Sequence, residues 1–166
     1  MRIVLILAFV AAGTPCAAKA AALDDAAAFG ARPSVIHASL SPDGRSVAYV
    51  APGKGQESIL FTITLDKDSK PRAALVLTGK PEHLNRCDWV TNDRLVCSVH
   101  GTVEGKEAML PFTRTIAVNA DGSNFLQLST RANPYTHGTQ LGGGEVIDWL
   151  PEKDGVVLMI RHYVPD

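Results

Sequence analysis

Five histidines, three cysteines and a run of three glycines are the residues in this 166-residue chain whose types could carry chemistry. The histidines are His37, His83, His100, His137 and His162, and no two of them lie three to five residues apart. Zinc centres usually draw two ligands from one short segment at that spacing. Loop and strand-end positions are therefore expected for all five, and no metal ligand is assigned. Gly142-Gly143-Gly144 lacks the Lys-Ser/Thr of a phosphate-binding loop and runs into Glu145 and a strand pattern, so a flexible connection is expected there. Glu104, Lys106 and Glu107 fall in a stretch from Gly101 to Pro111 that reads as an insertion between strands, with solvated loop residues. Nowhere does the chain carry the G-x-S-x-G nucleophile elbow. No catalytic, cofactor-binding or metal residue is assigned, and no cofactor is expected.

The cysteines depend on the compartment. Arg2 supplies a positive start, Ile3 to Ala12 form an apolar run, and Ala18-Lys19-Ala20 places small residues where a signal peptidase reads. Residues 1–20 are expected to be a signal peptide cut after Ala20, leaving 21–33 as a leader that is a short helix or unanchored. The apolar run is shorter than the roughly 20 residues that span a bilayer, so no stable membrane anchor is expected. Cys16 follows Gly13-Thr14-Pro15, which does not fit lipid attachment. A periplasmic or secreted location follows, and an oxidising one favours a Cys87 to Cys97 disulfide. Around the pair, RCDWVTNDRLVCSV reads as a hairpin. With Thr91-Asn92-Asp93 as the loop, Val90 faces Arg94 and Cys87 falls opposite Cys97. A two- or four-residue loop would put Ser98 there instead, and two buried free thiols are the alternative to a bridge.

These elements need a scaffold, and composition points to one. The chain is 46% hydrophobic and 20% charged, which excludes disorder. Its net charge is −1 with no extended basic cluster, so neither nucleic acid nor an anionic membrane is implied as a partner. Fourteen Gly and ten Pro interrupt short runs of Val, Ile, Leu and Thr, which favours an all-β fold.

Three segments can be superimposed: ASLSPDGRSVAYV (Ala38 to Val50), CDWVTNDRLVCSV (Cys87 to Val99) and IDWLPEKDGVVLMI (Ile147 to Ile160). Each is strand, polar turn, strand, and Leu40, Trp89 and Trp149 correspond. An aromatic ring at that position is expected to pack between adjacent sheets. The second half of the unit repeats too, in Ile59 to Gly79 and Thr113 to Thr130, where Asp121-Gly122 supplies the positive φ of a tight turn. Ile59, Phe61, Ile63 and Leu65 alternate with Leu60, Thr62 and Thr64, the signature of a strand with one strongly apolar face. Units of four strands recurring at forty to sixty residues mark a β-propeller. The expectation is an incomplete β-propeller of about two and a half four-stranded blades: blade 1 about 34–80, blade 2 about 81–132, and the start of blade 3 about 144–166. A β-sandwich is the alternative.

SPDGRSVAYV (Ser41 to Val50) and NADGSNFLQLS (Asn119 to Ser129) resemble the propeller repeat shared by TolB-like proteins and the prolyl oligopeptidase family of serine peptidases. RCDWVTNDRLVCSV and VIDWLPEKDGVVLMI resemble the second and third blades of exported bacterial members of the dipeptidyl aminopeptidase and acylaminoacyl peptidase types. The resemblance spans about Pro33 to Asp166. It implies a propeller acting as scaffold and substrate gate for a C-terminal α/β-hydrolase domain that cleaves short peptides through Ser, Asp and His. Without the nucleophile elbow no catalytic residue carries over, and these residues are expected to be an amino-terminal fragment, inactive and poorly folded alone. A non-enzymatic TolB-like propeller that binds a partner is the rival, though TolB places a separate α/β domain before its propeller.

Overall fold

The computed structural model describes residues 25–129 and 141–160. The expected cleavage after Ala20 and Cys16 lie outside them, as do His137, His162 and Tyr163. The chain divides into two compact units, Met1–Ala31 and Arg32–Asp166. In the first, the Ala-rich segment forms helix α1 (Asp25–Gly30).

The second unit is all-β, with three antiparallel sheets, none of them closed. β1 (His37–Leu40), β2 (Ser46–Pro52), β3 (Ser58–Thr64) and β4 (Arg72–Leu77) make one four-stranded meander. β5 (Glu82–Trp89), β6 (Arg94–Glu104), β7 (Met109–Asn119) and β8 (Leu126–Gln127) make a second. β9 (Glu145–Asp148) pairs with β10 (Leu158–Ile160) in a third, two-stranded sheet. Each four-stranded sheet is thus made from contiguous sequence, as short strands joined by tight turns allow.

The turns carry the geometry their sequences demand. At Ser41-Pro42-Asp43-Gly44, proline presets φ and Gly44 adopts φ +71°, its amide donating to Ser41 O at 2.8 Å. Ser41 Oγ donates to Asp43 at 2.6 Å and the Arg45 amide at 3.0 Å. Those bonds, led by Ser41, hold the Asp43 carboxyl below the usual carboxylate value. In the Asp121-Gly122 turn, Ser123 does the same to Asp121 through its hydroxyl (2.6 Å) and its amide (2.9 Å). A carboxylate whose folded pKa is lowered adds stability that is fully present above its unfolded value, about 4, and is lost as pH falls through the folded value. Carboxyl titration by NMR should place both midpoints below about 4. Ser41→Ala should return Asp43 toward the ordinary value and leave Asp121 unmoved; a native Asp43 midpoint at or above about 4 would contradict this.

The core lies between the two four-stranded sheets. Ala48, Val50 and Leu60 of the first meet Leu84, Cys87, Trp89, Leu95, Cys97, Val99, Ile116 and Val118 of the second. Each fully buried large aliphatic side chain there contributes roughly 1.5–3 kcal/mol. Polar ties cross the same interface: Leu84 N donates to Ser58 Oγ (2.8 Å), Thr62 Oγ1 to Ala120 O (2.8 Å), Asp43 N to Asn92 Oδ1 (3.0 Å).

Packing fixes which side of β3 meets a neighbour, and it corrects one expectation. In β3 it is Ser58, Leu60 and Thr62 that face the core, while Ile59, Phe61 and Ile63 are only half-buried and Leu65 is exposed. Period two identifies the strand without saying which side meets a neighbour. The stretch from Gly101 to Pro111 is not a loop insertion. β6 and β7 continue in register from Gly101↔Phe112 to Glu104↔Met109 and turn at residues 105–108, where Gly105 N donates to Ala108 O. Glu104, Lys106 and Glu107 on this arm are exposed.

Candidate functional site

β5 is the strand that gathers the chemistry. Its turn into β6 is the three-residue loop Thr91-Asn92-Asp93, with Val90 N donating to Arg94 O at 2.9 Å. That loop length sets Cys87 directly opposite Cys97. Cα atoms 4.0 Å apart carry a disulfide between them, and both residues are buried. Alternation then turns Asp88 to the other face, the same face as Arg86 two residues before it.

Asp88 is held from two sides. His37 Nε2 of β1 lies 3.0 Å from Asp88 Oδ1, and Arg86 Nε donates to Oδ2 at 2.8 Å. The Arg86 guanidinium is stabilised in its charged form above the usual arginine value, first by the hydrogen bond to Asp88 and then by the charges of Asp88 and Glu145. Ser39 stands two residues from His37 on the same face of β1, so serine, histidine and aspartate come close together. Their wiring is not that of a nucleophile: Ser39 Oγ donates to Cys87 O at 2.8 Å, and the His37 ring is directed at Asp88. The group ties the first sheet to the second.

Beyond Asp88, a cleft of about 490 Å³ separates the second sheet from the third. Arg86, Asp88, Ser98 and Thr115 line one wall, Glu145, Val146 and Trp149 the other. That volume suits a small molecule. Its walls carry a half-exposed guanidinium, an exposed carboxylate, hydroxyls and one indole. The arrangement can bind polar ligands by ion pairing and stacking, and it contains no activated nucleophile among the described residues.

The third sheet is seated by the triglycine, which is no loose connection. Gly143 N donates to Thr113 Oγ1 (2.8 Å), Thr115 Oγ1 donates to Gly143 O and Gly144 O (3.2 Å each), and Thr113 N donates to Leu141 O (2.7 Å). A Cβ on Gly143 would lie 2.4 Å from Arg114 Cα, a backbone atom that cannot step aside. Gly143→Ala should therefore lift the third sheet at a cost of roughly 1–3 kcal/mol, the usual penalty of overpacking. Hydrogen exchange at residues 158–160 should quicken while exchange at Val50 and Leu60 stays slow; unchanged exchange at 158–160 would show that the seat tolerates a methyl group.

Of the remaining sequence candidates, His83 and His100 are brought together across β5 and β6, ring centroids 5.5 Å apart. Trp89 is buried between the first two sheets, with Nε1 donating to Ser39 O at 3.2 Å. Trp149 is half-buried on the cleft wall. Sequence reasoning passed over His37, Arg86, Asp88 and Glu145 as a group. The one available signal is the dipeptide Asp-Trp, repeated at Asp88-Trp89 and Asp148-Trp149. Comparison of the chain with family models, with curated proteins and with solved structures gives no match.

Proposed function

We propose that these residues form the amino-terminal part of a β-propeller in an exported serine peptidase of the prolyl oligopeptidase family. There they serve as scaffold and substrate gate for an α/β-hydrolase domain carried elsewhere in the longer protein. The observation that supports this best is the stacking of consecutive four-stranded meanders, in which the SPDG turn joins β1 to β2 and the NADG turn joins β7 to β8. Once the first hairpin's turn, one residue longer than the second's, is allowed for, Leu40↔Val47 stands where Trp89↔Leu95 does, and Tyr49↔Phe61 where Cys97↔Ile116 does. The gating role suits a stack whose second interface is a polar cleft rather than a sealed apolar seam. The same cleft favours a second reading, a TolB-like propeller that binds a partner without catalysis.

Labelling the whole gene product, recovered from the periplasm, with a fluorophosphonate separates the two. The peptidase reading expects a labelled protein much larger than 166 residues that yields peptides of this sequence, together with hydrolysis of short peptides. A product carrying this sequence that takes no label and cleaves nothing would leave the binding module. The 166 residues alone should show no hydrolysis, since acyl transfer needs nucleophile, base and oxyanion site in one constellation.

A further inference from the structure

His83 of β5 stands directly opposite His100 of β6, and the two imidazole rings stack with centroids 5.5 Å apart and planes 25° from parallel. Residues paired in this way present their side chains on one face of the sheet. The register that brings them together is fixed from several sides. The Cys87–Cys97 bond crosses the same two strands, Leu84 N donates to Ser58 Oγ at 2.8 Å, and Gly79 N donates to Glu82 O at 3.1 Å. Next to His100, the chain packs so tightly that a Cβ on Gly101 would lie 2.4 Å from Pro81 O. Among the described residues neither ring is engaged by a hydrogen bond or an ion pair, whereas the ring of His37 is held by Asp88. Their nitrogens are thus left for a ligand. His83 is half-buried and His100 exposed, and a cavity of about 560 Å³ opens beside them, bordered also by Gln56, Asn85 and Thr102.

We propose that His83 and His100 together chelate a late first-row divalent metal ion, copper(II) ahead of nickel(II) or zinc(II). Imidazole nitrogen suits these ions, whereas magnesium and calcium take oxygen ligands. The separation of the rings fits. With metal–nitrogen bonds of about 2.0–2.1 Å, two imidazoles sharing an ion have their centres roughly 4.5–6.5 Å apart, according to the angle at the metal. The observed distance lies inside that span, and the near-parallel rings need only turn about χ2, a soft torsion in histidine. No third histidine, cysteine, aspartate or glutamate joins the pair among the described residues. Water therefore completes the coordination on the side of the cavity, and the ion exchanges with solvent rather than being locked into the fold. The two ligands are seventeen positions apart, so no spacing within one short segment points to them. The site rests on strand register and stands apart from the peptidase reading.

Acylation of histidines by diethyl pyrocarbonate, read by peptide mass spectrometry on the whole gene product, tests the proposal. Without metal, His83 and His100 should both take the label. Copper(II) should suppress labelling of the two together, over one concentration range, and magnesium should leave it unchanged. His83→Gln should raise the copper(II) concentration that half-protects His100 by about 10-fold or more, since losing a ligand costs at least as much as losing a ligand's outer partner. His100→Gln should do the same to His83. That mutual dependence separates a chelate from two histidines that bind ions singly. Circular dichroism and an intact Cys87–Cys97 bond certify the fold of each variant, and the result on the unsubstituted protein needs no variant. Labelling that persists at both histidines in a large excess of copper(II), or a half-protection point at one that does not move when the other is lost, would overturn the proposal. So would a pair closed to the reagent before metal is added, because an ion and its waters need the same access. None of these results bears on whether the whole gene product is a peptidase.

Discussion

Trp89→Ala should lower stability by about 3–5 kcal/mol, while Trp149→Ala should cost roughly 1 kcal/mol, although the two residues occupy matching places in the repeat. Trp89 is 8% exposed, stands among Leu84, Cys87 and Leu95, and donates its indole N–H to Ser39 O of the neighbouring sheet. Truncation removes a large apolar volume that two packed sheets cannot close over and leaves Ser39 O short of a donor. Trp149 has one side on an open cleft, so its loss leaves no sealed cavity. Against a net stability of about 5–15 kcal/mol for a domain of this size, the first substitution should bring the chain near its unfolding threshold. Urea titration followed by circular dichroism measures both. Equal losses would mean that the third sheet is sealed onto the second as tightly as the second onto the first.

That asymmetry also marks what the sequence could reveal. The segments superimposed by Leu40, Trp89 and Trp149 do fold alike, each as strand, turn and strand, because turn chemistry and period two are local properties. Burial at the matched position is not local: Leu40 is 58% exposed, Trp89 is buried and Trp149 is intermediate. What decides it is whether another sheet stands on that side, and no pattern within one strand carries that information. The pattern of β3 leaves its core side open for the same reason, since Ile59, Phe61 and Ile63 are as apolar as a core face and lie on the side without a neighbour. The triglycine was legible as a connection but not as a seat, because the contact that needs Gly143 is with Arg114, twenty-nine positions away in sequence. The His37–Asp88–Arg86 group was hidden similarly, its histidine and carboxylate being brought together only by the packing of β1 on β5. By contrast the cystine pairing could be read in advance, as the choice of a three-residue loop alone sets the register.

Breaking the Cys87–Cys97 bond should cost about 2–3 kcal/mol. The cross-link closes a loop of sequence separation 10, and a short loop restricts the unfolded chain less than a long one would. Its place in the fold makes the loss matter, since both sulfurs lie in the core cluster between the two four-stranded sheets. Reduction and substitution should therefore differ. The reduced protein keeps the sulfur volume and loses only the cross-link, whereas Cys87→Ala with Cys97→Ala also empties space beside Leu84, Val99 and Ile116. The double variant should unfold at a lower urea concentration than the reduced parent chain, by about 1 kcal/mol or more of additional destabilisation. Coincident transitions for the two would assign the whole effect to the cross-link and none to packing. A parent chain whose transition does not move on complete reduction, verified by alkylation of both thiols, would show that the hairpin register is held by the Thr91-Asn92-Asp93 turn and the core alone.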